Sequence, residues 1–528
     1  MPARMVQTHG ASTPPSMSHT DAAASFPQTV KSDGLPFELI AFVDGLRDRG
    51  IPVYETQGRA FPAEATMHDR AAVVPAVIVS PRCEEEVIKT VSLLASLNLY
   101  STYPVSVRSG GHGYSNEASC SGIMISMRSM TGQRITDDVL SIEPGCILGQ
   151  LVPALASKAK AVPHGDCFGV GAGGHFLTAG WDIALARRYG LGCQSVLGGR
   201  VVLWDGSKVD VNENSHPDLL HAMRGGAAAR VGVVTEIRLR LLDQPPLVSW
   251  RFQSLSKSQL ATCVSQHAFA HAATLPRDVS ISFRFHFETE LICSFNVVSL
   301  LSVAETLDLL KKHLGSEVAS LMLGLLGWHD GPLLALRMIP AAEELAADPM
   351  RLAEVTPEDL HQDPLQYWKP AVSAREMASS YFTSISHWVV PDCEELLLNL
   401  YGTFQSVQDH PARERMYALV IQGGGRMTEL QHQCSMPLGQ TLARFELHWD
   451  DPEDEQWSRQ FTVQISAAME RTIDRVPGRP YRGDIWLKEQ GNDDDLDVIC
   501  KAYDRRFSLR ETVSLVDSQQ VVQKAAEA

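Results

Sequence analysis

The stretch VSVRSGGHGYSNE, residues 105–117, carries a β-branched strand pattern directly into a turn where Gly110, Gly111 and Gly113 surround one histidine, His112. Glycines placed right after a strand let the backbone approach a neighbour closely, because a side chain would fill the space and disfavour positive φ. Upstream, the apolar run AAVVPAVIVS leads to SPRCEEEVIKTVSLLASLNL. There Ser80 is expected to cap a helix and Pro81 to take its first position, with Glu84, Glu85 and Glu86 complementing the helix dipole. Val87, Val91, Leu94 and Ala95 then share one apolar face. Strand, helix, strand and glycine turn in that order fit an α/β or α+β layer. Taken alone, His112 is either a turn residue with a satisfied ring or a functional group.

A second glycine-dense segment bears on that choice. HGDCFGVGAGGHFLTAGWDIALARRYGLGCQSVLGGRVVLWDG, residues 164–206, contains a formal GxGxxG in Gly169, Gly171 and Gly174. A dinucleotide-binding turn of that kind follows a hydrophobic strand and has an acidic residue about 20 positions later. Here the polar loop PHGDC precedes it and the nearest downstream acid is Asp182. A nicotinamide site is therefore rejected.

The 528 residues exceed one ordinary core, so two or three domains are expected. A net charge of −16 without clustered Lys and Arg argues against nucleic acid and for a small-molecule partner. The ten cysteines include no CxxC pair, so zinc is not expected. His267 and His271 stand four apart but have no acidic third ligand nearby, and surface positions are expected for them. The N-terminus lacks the apolar core of a signal peptide, and the longest apolar run, 71–79, is too short to span a bilayer. An intracellular, cytoplasmic protein with mostly reduced thiols and no membrane partner is expected. Residues 1–35, rich in Ser, Thr, Pro, His and Ala, are expected to be a disordered tail.

Together the two glycine segments resemble the flavin domain of the berberine bridge enzyme-like FAD-linked oxidoreductases, within the vanillyl-alcohol oxidase type. In that family an R-x-G-G-H turn supplies a histidine bonded to the 8α position of FAD, which fits Arg108, Ser109, Gly110, Gly111 and His112. A G-x-C-x-x-V-G loop supplies a cysteine bonded to C6, which fits Gly165, Cys167, Val170 and Gly171. The likeness runs over roughly residues 70–241 and includes IMISMRSMTG, LSIEPGCILGQLVPALA, PDLLHAMRGG and VGVVTEIRLRL.

The resemblance implies an α+β fold. Its parts would be a PCMH-type FAD-binding domain over 36–242, a substrate domain with an antiparallel sheet backed by helices over 243–474, and a returning segment over 475–528. It further implies FAD held covalently by His112 and Cys167, with Arg108, Ser109, Gly110, Gly111, Gly113, Val170, Gly171, Gly174, His175, Gly232 and Val233 around it. Backbone N–H groups of Ser109 to Gly113 would cradle the pyrophosphate, since successive amides in such turns form an anion nest. In the family the residue at Val170 resembles a gate for dioxygen, and valine there goes with oxidase behaviour. The plain alternative is that Val170 only packs.

In the substrate region, VSISFRFHFETE alternates Val279, Ile281, Phe283, Phe285 and Phe287 with Ser282, Arg284, His286 and Glu288. ARFELHWDD likewise puts Arg444, Glu446, His448 and Asp450 on one face. Such faces are usually just solvated. If they roof the flavin as in the family, Arg284, His286, Glu446 and His448 are candidates to bind substrate, and Glu446, His448 or Tyr481 to take its proton.

The chain departs from the family pattern at Ala179 and Asp182, where glycines are usual, and at AAARV, 227–231. It departs again in RPYRGDIWLKEQ, where only Tyr481 matches a tyrosine-bearing element. The expected activity is hydride abstraction from a small organic molecule, weakly a natural-product intermediate, with dioxygen reduced to hydrogen peroxide. A redox-neutral cyclase or lyase and a degenerate flavin-binding protein remain as alternatives.

Overall fold

A computed structural model describes residues 35–56, 74–111, 118–165, 169–225, 231–323, 327–337, 381–390, 393–435 and 438–470. His112, Gly113, Cys167, Tyr481, the tail before residue 35 and the segment after 470 lie outside these.

Four short strands open the fold: β1 (Val53–Glu55), β2 (Val77–Val79), β3 (Val105–Arg108) and β4 (Ile123–Ser126). They form a sheet in the order β1-β2-β4-β3, with β2 and β3 parallel to β4. The β2–β3 connection contains the helix Glu84–Ser96, whose Val87, Val91 and Leu94 are fully buried against this sheet. This helix starts later than the Ser80–Pro81 signal implies. The Glu86 carboxylate turns back to accept the Arg82 backbone N–H at 2.8 Å and its guanidinium Nε at 3.0 Å, tying the preceding residues into a non-helical turn that leaves Cys83 at the cap.

A second, antiparallel sheet comprises β5 (Gln133–Thr136), β6 (Val139–Ile142), β8 (Val196–Leu203), β9 (Lys208–Val211) and β10 (Gly232–Arg240), in the order β5-β6-β10-β8-β9. β7 (Lys160–Ala161) pairs with β11 (Leu242–Asp243). Glu84 joins the helix to this sheet, accepting from Arg200 at 2.6 Å, Lys208 at 3.0 Å and Thr235 at 2.7 Å.

The largest sheet is antiparallel and seven-stranded. It contains β12 (Val248–Leu255), β13 (Val279–Phe287), β14 (Leu291–Ser299), β15 (His329–Gly331), β16 (Tyr381–Val389), β17 (Met416–Gln422) and β18 (Thr441–Trp449). Its order is β15-β12-β14-β13-β17-β18-β16. Strand alternation holds as the sequence implies. Phe283, Phe285, Phe287, Phe295, Phe445 and Leu447 point to one side, where they pack with Leu310, Leu396, Phe404 and Phe461 of the covering helices. The opposite side carries most of the polar residues, and its Trp388 and Leu442 pack against Ala179, Trp181 and Leu191 of the N-terminal half. The whole is α+β, with mixed and antiparallel sheets and helices gathered on faces.

Arg187 pins the two halves together. Its buried guanidinium donates to Gly423 O at 3.0 Å, Leu275 O at 3.1 Å, Pro276 O at 3.3 Å and Val279 O. Burial lowers its pKa to about 10.

Candidate active site

The first glycine turn leaves the end of β3 and meets the second glycine loop backbone to backbone. A Cβ on Gly110 would fall 2.4 Å from the Gly171 nitrogen and 3.3 Å from the Gly169 carbonyl; one on Gly171 would fall 2.1 Å from the Gly110 nitrogen. Real Cβ atoms never come so close, so glycine is required at both places by the approach itself. Gly111 adopts φ +76°, and its Cα side is occupied by the Arg108 guanidinium. Arg108 is itself buried.

Side chains and backbone lock the contact. Ser109 Oγ donates to Pro144 O and accepts the Gly173 N–H at 3.2 Å. The Ala172 N–H donates to Cys146 O at 2.7 Å, and the Leu148 N–H to Val170 O at 2.9 Å. His175, on the helix Ala172–Thr178, accepts the Gly165 N–H on Nε2 at 3.1 Å and sends its own N–H to Gly171 O at 3.0 Å. Both ends of the loop that bears Cys167 are therefore fastened to described structure.

Of the residues expected around the cofactor, Arg108, Ser109, Gly110, Gly111, Val170, Gly171 and His175 come together here. Val170 is half-buried and packs against the core that holds Leu148 and Phe176. Gly174 is exposed, and a Cβ there would meet nothing within 4 Å. A Cβ on Gly232 would strike the Val202 carbonyl at 2.3 Å, and Val233 is fully buried beside Val77 and Trp204, so its side chain serves packing. His267 and His271 are exposed, and no cluster of metal-ligating side chains occurs among the described residues.

Asp182, one of the departures, is buried and fully engaged. Its Oδ2 accepts Arg337 Nη2 at 2.6 Å and the His164 N–H at 3.1 Å; its Oδ1 accepts the N–H groups of Ala184 at 2.8 Å and Leu185 at 2.9 Å. Arg337 closes the short helix Leu333–Arg337 and also touches the His164 ring. Burial, reinforced by Arg337, holds the His164 imidazole well below its ordinary pKa. The carboxylate thus ties the root of the Cys167 loop to a helix 155 residues away in sequence. Ala179 is fully buried at φ −125°, a backbone angle any residue adopts, so glycine is not needed there.

Strand register assembles the polar face of the large sheet. Ser384, Glu446, Tyr417 and His286 lie in one row across β16, β18, β17 and β13. The next row holds Ser386, Arg444, Leu419, Arg284 and Ser294, and the one after it Trp388, Leu442, Ile421, Ser282 and Asn296. Trp388 of the third row packs on Trp181, ring centroids 5.8 Å apart, and with Leu442 joins the cluster containing Ala179 and Leu191. Trp181 O lies 3.5 Å from where a Gly165 Cβ would be. The row of Trp388 therefore lies beside Trp181, and the rows of Arg444 and then Glu446 follow along the strands at about 6.7 Å per two residues.

Glu446 is 2% exposed. It accepts hydrogen bonds from Tyr417 Oη and pairs with Arg444. His448 lies two residues further along the strand and is half-buried. Arg284 stands over the Tyr417 ring, its guanidinium carbon 5.5 Å from the centroid. Burial, with Arg284 second, pushes His286 down to about 4, so its ring is neutral at pH 7. Ser384 Oγ, His286 Nδ1 and Asn296 Oδ1 are buried without a hydrogen-bond partner among the described residues.

Tyr417 escaped the sequence reading. MYALVIQ alternates cleanly enough to put Tyr417 beside Leu419 and Ile421, but only the β17–β18 register sets it against Glu446. Arg337, Arg187 and His164 likewise carried no local signal.

Residues 75–212 match the FAD binding domain family, so this part of the chain is an FAD binding domain. The chain is similar to a xylooligosaccharide oxidase of Thermothelomyces thermophilus, 28% identical over 211 residues, which cover 39% of this chain and 41% of the relative. It is similar to berberine bridge enzyme-like 2 of Arabidopsis thaliana, 29% identical over 199 residues and 36% of each chain. The chain thus spans about two-fifths or less of the length of these relatives. A solved structure of a berberine bridge enzyme variant superimposes with a TM-score of 0.66 at 16% identity over 85% of this chain and 88% of that one. The fold is therefore that of the berberine bridge enzyme-like FAD proteins, and the sequence resemblance lies in the FAD binding domain.

Proposed function

We propose that this chain is an FAD-dependent oxidase, its flavin bonded to His112 and Cys167, that removes a hydride from a small organic substrate and reduces dioxygen to hydrogen peroxide. The observation that carries this reading is the backbone contact of Gly110 with Gly171 and Gly169. His112 and Cys167 each lie two residues from a member of that contact, within about 7 Å of chain. Both proposed linkage residues are therefore rooted at one point, as a doubly tethered ring requires. The buried Arg108 beside this contact supplies a positive charge.

When bound, FAD supplies the hydride acceptor and the route by which electrons reach dioxygen. The chain's own residues would do the rest. Glu446, buried two strand rows beyond Trp388, would take the substrate proton, with Tyr417 holding one carboxylate oxygen and Arg444 balancing the charge. Ser384 Oγ, His286 Nδ1 and Asn296 Oδ1 are positioned to receive substrate polar groups, because buried polar atoms left unpaired are costly. His448 and Tyr481 are kept as secondary candidates for the base.

Asp182 is accounted for by its pairing with Arg337, so this departure does not argue for a redox-neutral cyclase or lyase. The reading is tested by precipitating the purified chain in acid and mapping flavin-bearing peptides by mass. Flavin on both the His112 and Cys167 peptides is expected, together with peroxide formation on a panel of oligosaccharides and aromatic alcohols. A colourless pellet with both peptides unmodified would overturn covalent attachment. Oxygen uptake absent across substrates that are nevertheless converted would overturn the oxidase assignment.

A further inference from the structure

Cys193 and Cys434 are 241 residues apart in sequence, yet their sulfur atoms lie 3.7 Å from each other. Cys193 belongs to the short helix Gly192–Ser195 beside the flavin loops; Cys434 follows the helix Arg426–Glu429 behind β17. Both are buried in the cluster that joins Ala179, Trp181 and Leu191 to Trp388, Met427 and Leu442. The pair therefore spans the seam between the FAD binding domain and the large sheet.

The flanking residues hold the two backbones in register. Gln194, next to Cys193, donates Nε2 to Met427 O at 2.8 Å. Ser435, next to Cys434, donates its N–H to Arg224 O at 2.9 Å and its Oγ to the same carbonyl at 3.2 Å. Arg224 in turn donates Nε to Val196 O at 2.8 Å, close after Cys193. Each segment is thus anchored one residue from its cysteine to the other segment, directly or through Arg224, and a disulfide asks the sulfur atoms to close from 3.7 Å to about 2.05 Å.

We propose that Cys193 and Cys434 are a cross-linking site, closing to a disulfide that staples the FAD binding domain to the substrate sheet when the protein meets a peroxide. One cysteine sulfur attacks hydrogen peroxide, breaking its O–O bond and giving a sulfenic acid with loss of water. The second sulfur then displaces the hydroxyl as a second water, so two thiols and one peroxide become one disulfide and two waters. The peroxide takes up the two electrons, and the two thiol protons leave in the waters. The reaction does not depend on the activity proposed above. Desolvation holds the Cys193 thiol well above its ordinary pKa, with the neighbouring Cys434 adding to the effect, so closure is slow and the dithiol persists in a reducing compartment.

The test uses the purified full chain, kept reduced or incubated with hydrogen peroxide and then alkylated in denaturant without reductant. The expected result is a linked peptide pair containing Cys193 and Cys434, a loss of two alkylation sites, and a chain lighter by two hydrogens. Thermal unfolding should shift upward in the oxidised wild type and stay unshifted in Cys434→Ser and Cys193→Ser treated alike. Separate alkylation of both cysteines after peroxide, added oxygen mass on either one, or linkage of either to another cysteine would overturn the proposal. Should one serine variant fail to fold, the peptide map of the wild type still decides.

Discussion

Replacing Arg337 with methionine keeps the aliphatic stem and removes the charge that faces Asp182. Both partners are almost inaccessible, their side chains 5% and 3% exposed, and they meet at 2.6 Å. Breaking one side of a buried ion pair costs about 3–5 kcal/mol, because the remaining charge is left without compensation. Asp182 keeps three backbone donors, from His164, Ala184 and Leu185. That residual support places Arg337→Met near the lower end, at about 3 kcal/mol. For a cooperative unit of domain size, about 2–4 °C accompanies each kcal/mol, so the unfolding midpoint should fall by about 6–12 °C. Scanning fluorimetry at neutral pH reads this directly. The double variant Asp182→Asn/Arg337→Met retains the acceptor oxygen for Ala184 and Leu185 while removing both charges, and should recover part of the loss. An Arg337→Met midpoint within about 2 °C of wild type, or a double variant worse than the single, would refute the argument that this pair is energetically coupled.

Gly110→Ala should cost at least about 1–3 kcal/mol by overpacking and lower the flavin recovered in the acid pellet, since its Cβ meets backbone at 2.4 Å. Gly402→Ala, whose Cβ meets nothing within 4 Å inside the helix Glu394–Gln405, should instead stabilise by about 0.5–1 kcal/mol; equal midpoints for the two would sink the distinction. Glu446→Gln should lower turnover by about 10²–10⁴-fold while leaving pellet flavin intact, and Tyr417→Phe by about 10–100-fold; undiminished turnover in Glu446→Gln would remove it as the base. Stability should fall as pH drops below about 6.5, where unfolded histidines bind protons that the folded protein refuses. His164 is held well below that value and His286 at about 4, so for His286 the loss builds between pH 6.5 and about 4. Unfolding midpoints against pH check this, and His286→Gln should flatten the slope; a midpoint that rises on acidification would contradict it.

Alternation in VSISFRFHFETE and ARFELHWDD, and the passage of VSVRS into glycines, are local facts. A strand has a side-chain period of two, so the burial of Phe283, Phe285 and Phe445 and the gathering of Arg284, His286, Arg444 and Glu446 on the opposite side were legible residue by residue. The glycine requirement at Gly110 was legible too, although its cause, the Gly171 backbone, was not. The helix start at Glu84 was misplaced because the side chain of Glu86 outcompetes the cap that Ser80 offers.

The sequence by itself determined which residues share a face, where the chain must come close to something, and a family likeness over roughly residues 70–241, of which 75–212 match the FAD binding domain family. Tertiary structure alone decided which faces meet: Tyr417 against Glu446, Arg337 against Asp182, Arg187 against four distant carbonyls, Cys193 against Cys434. The reason is physical. Side-chain direction follows from backbone geometry a few residues long, whereas each of these pairings depends on strand register and on closing chain segments from 29 to 241 residues, which no local pattern encodes.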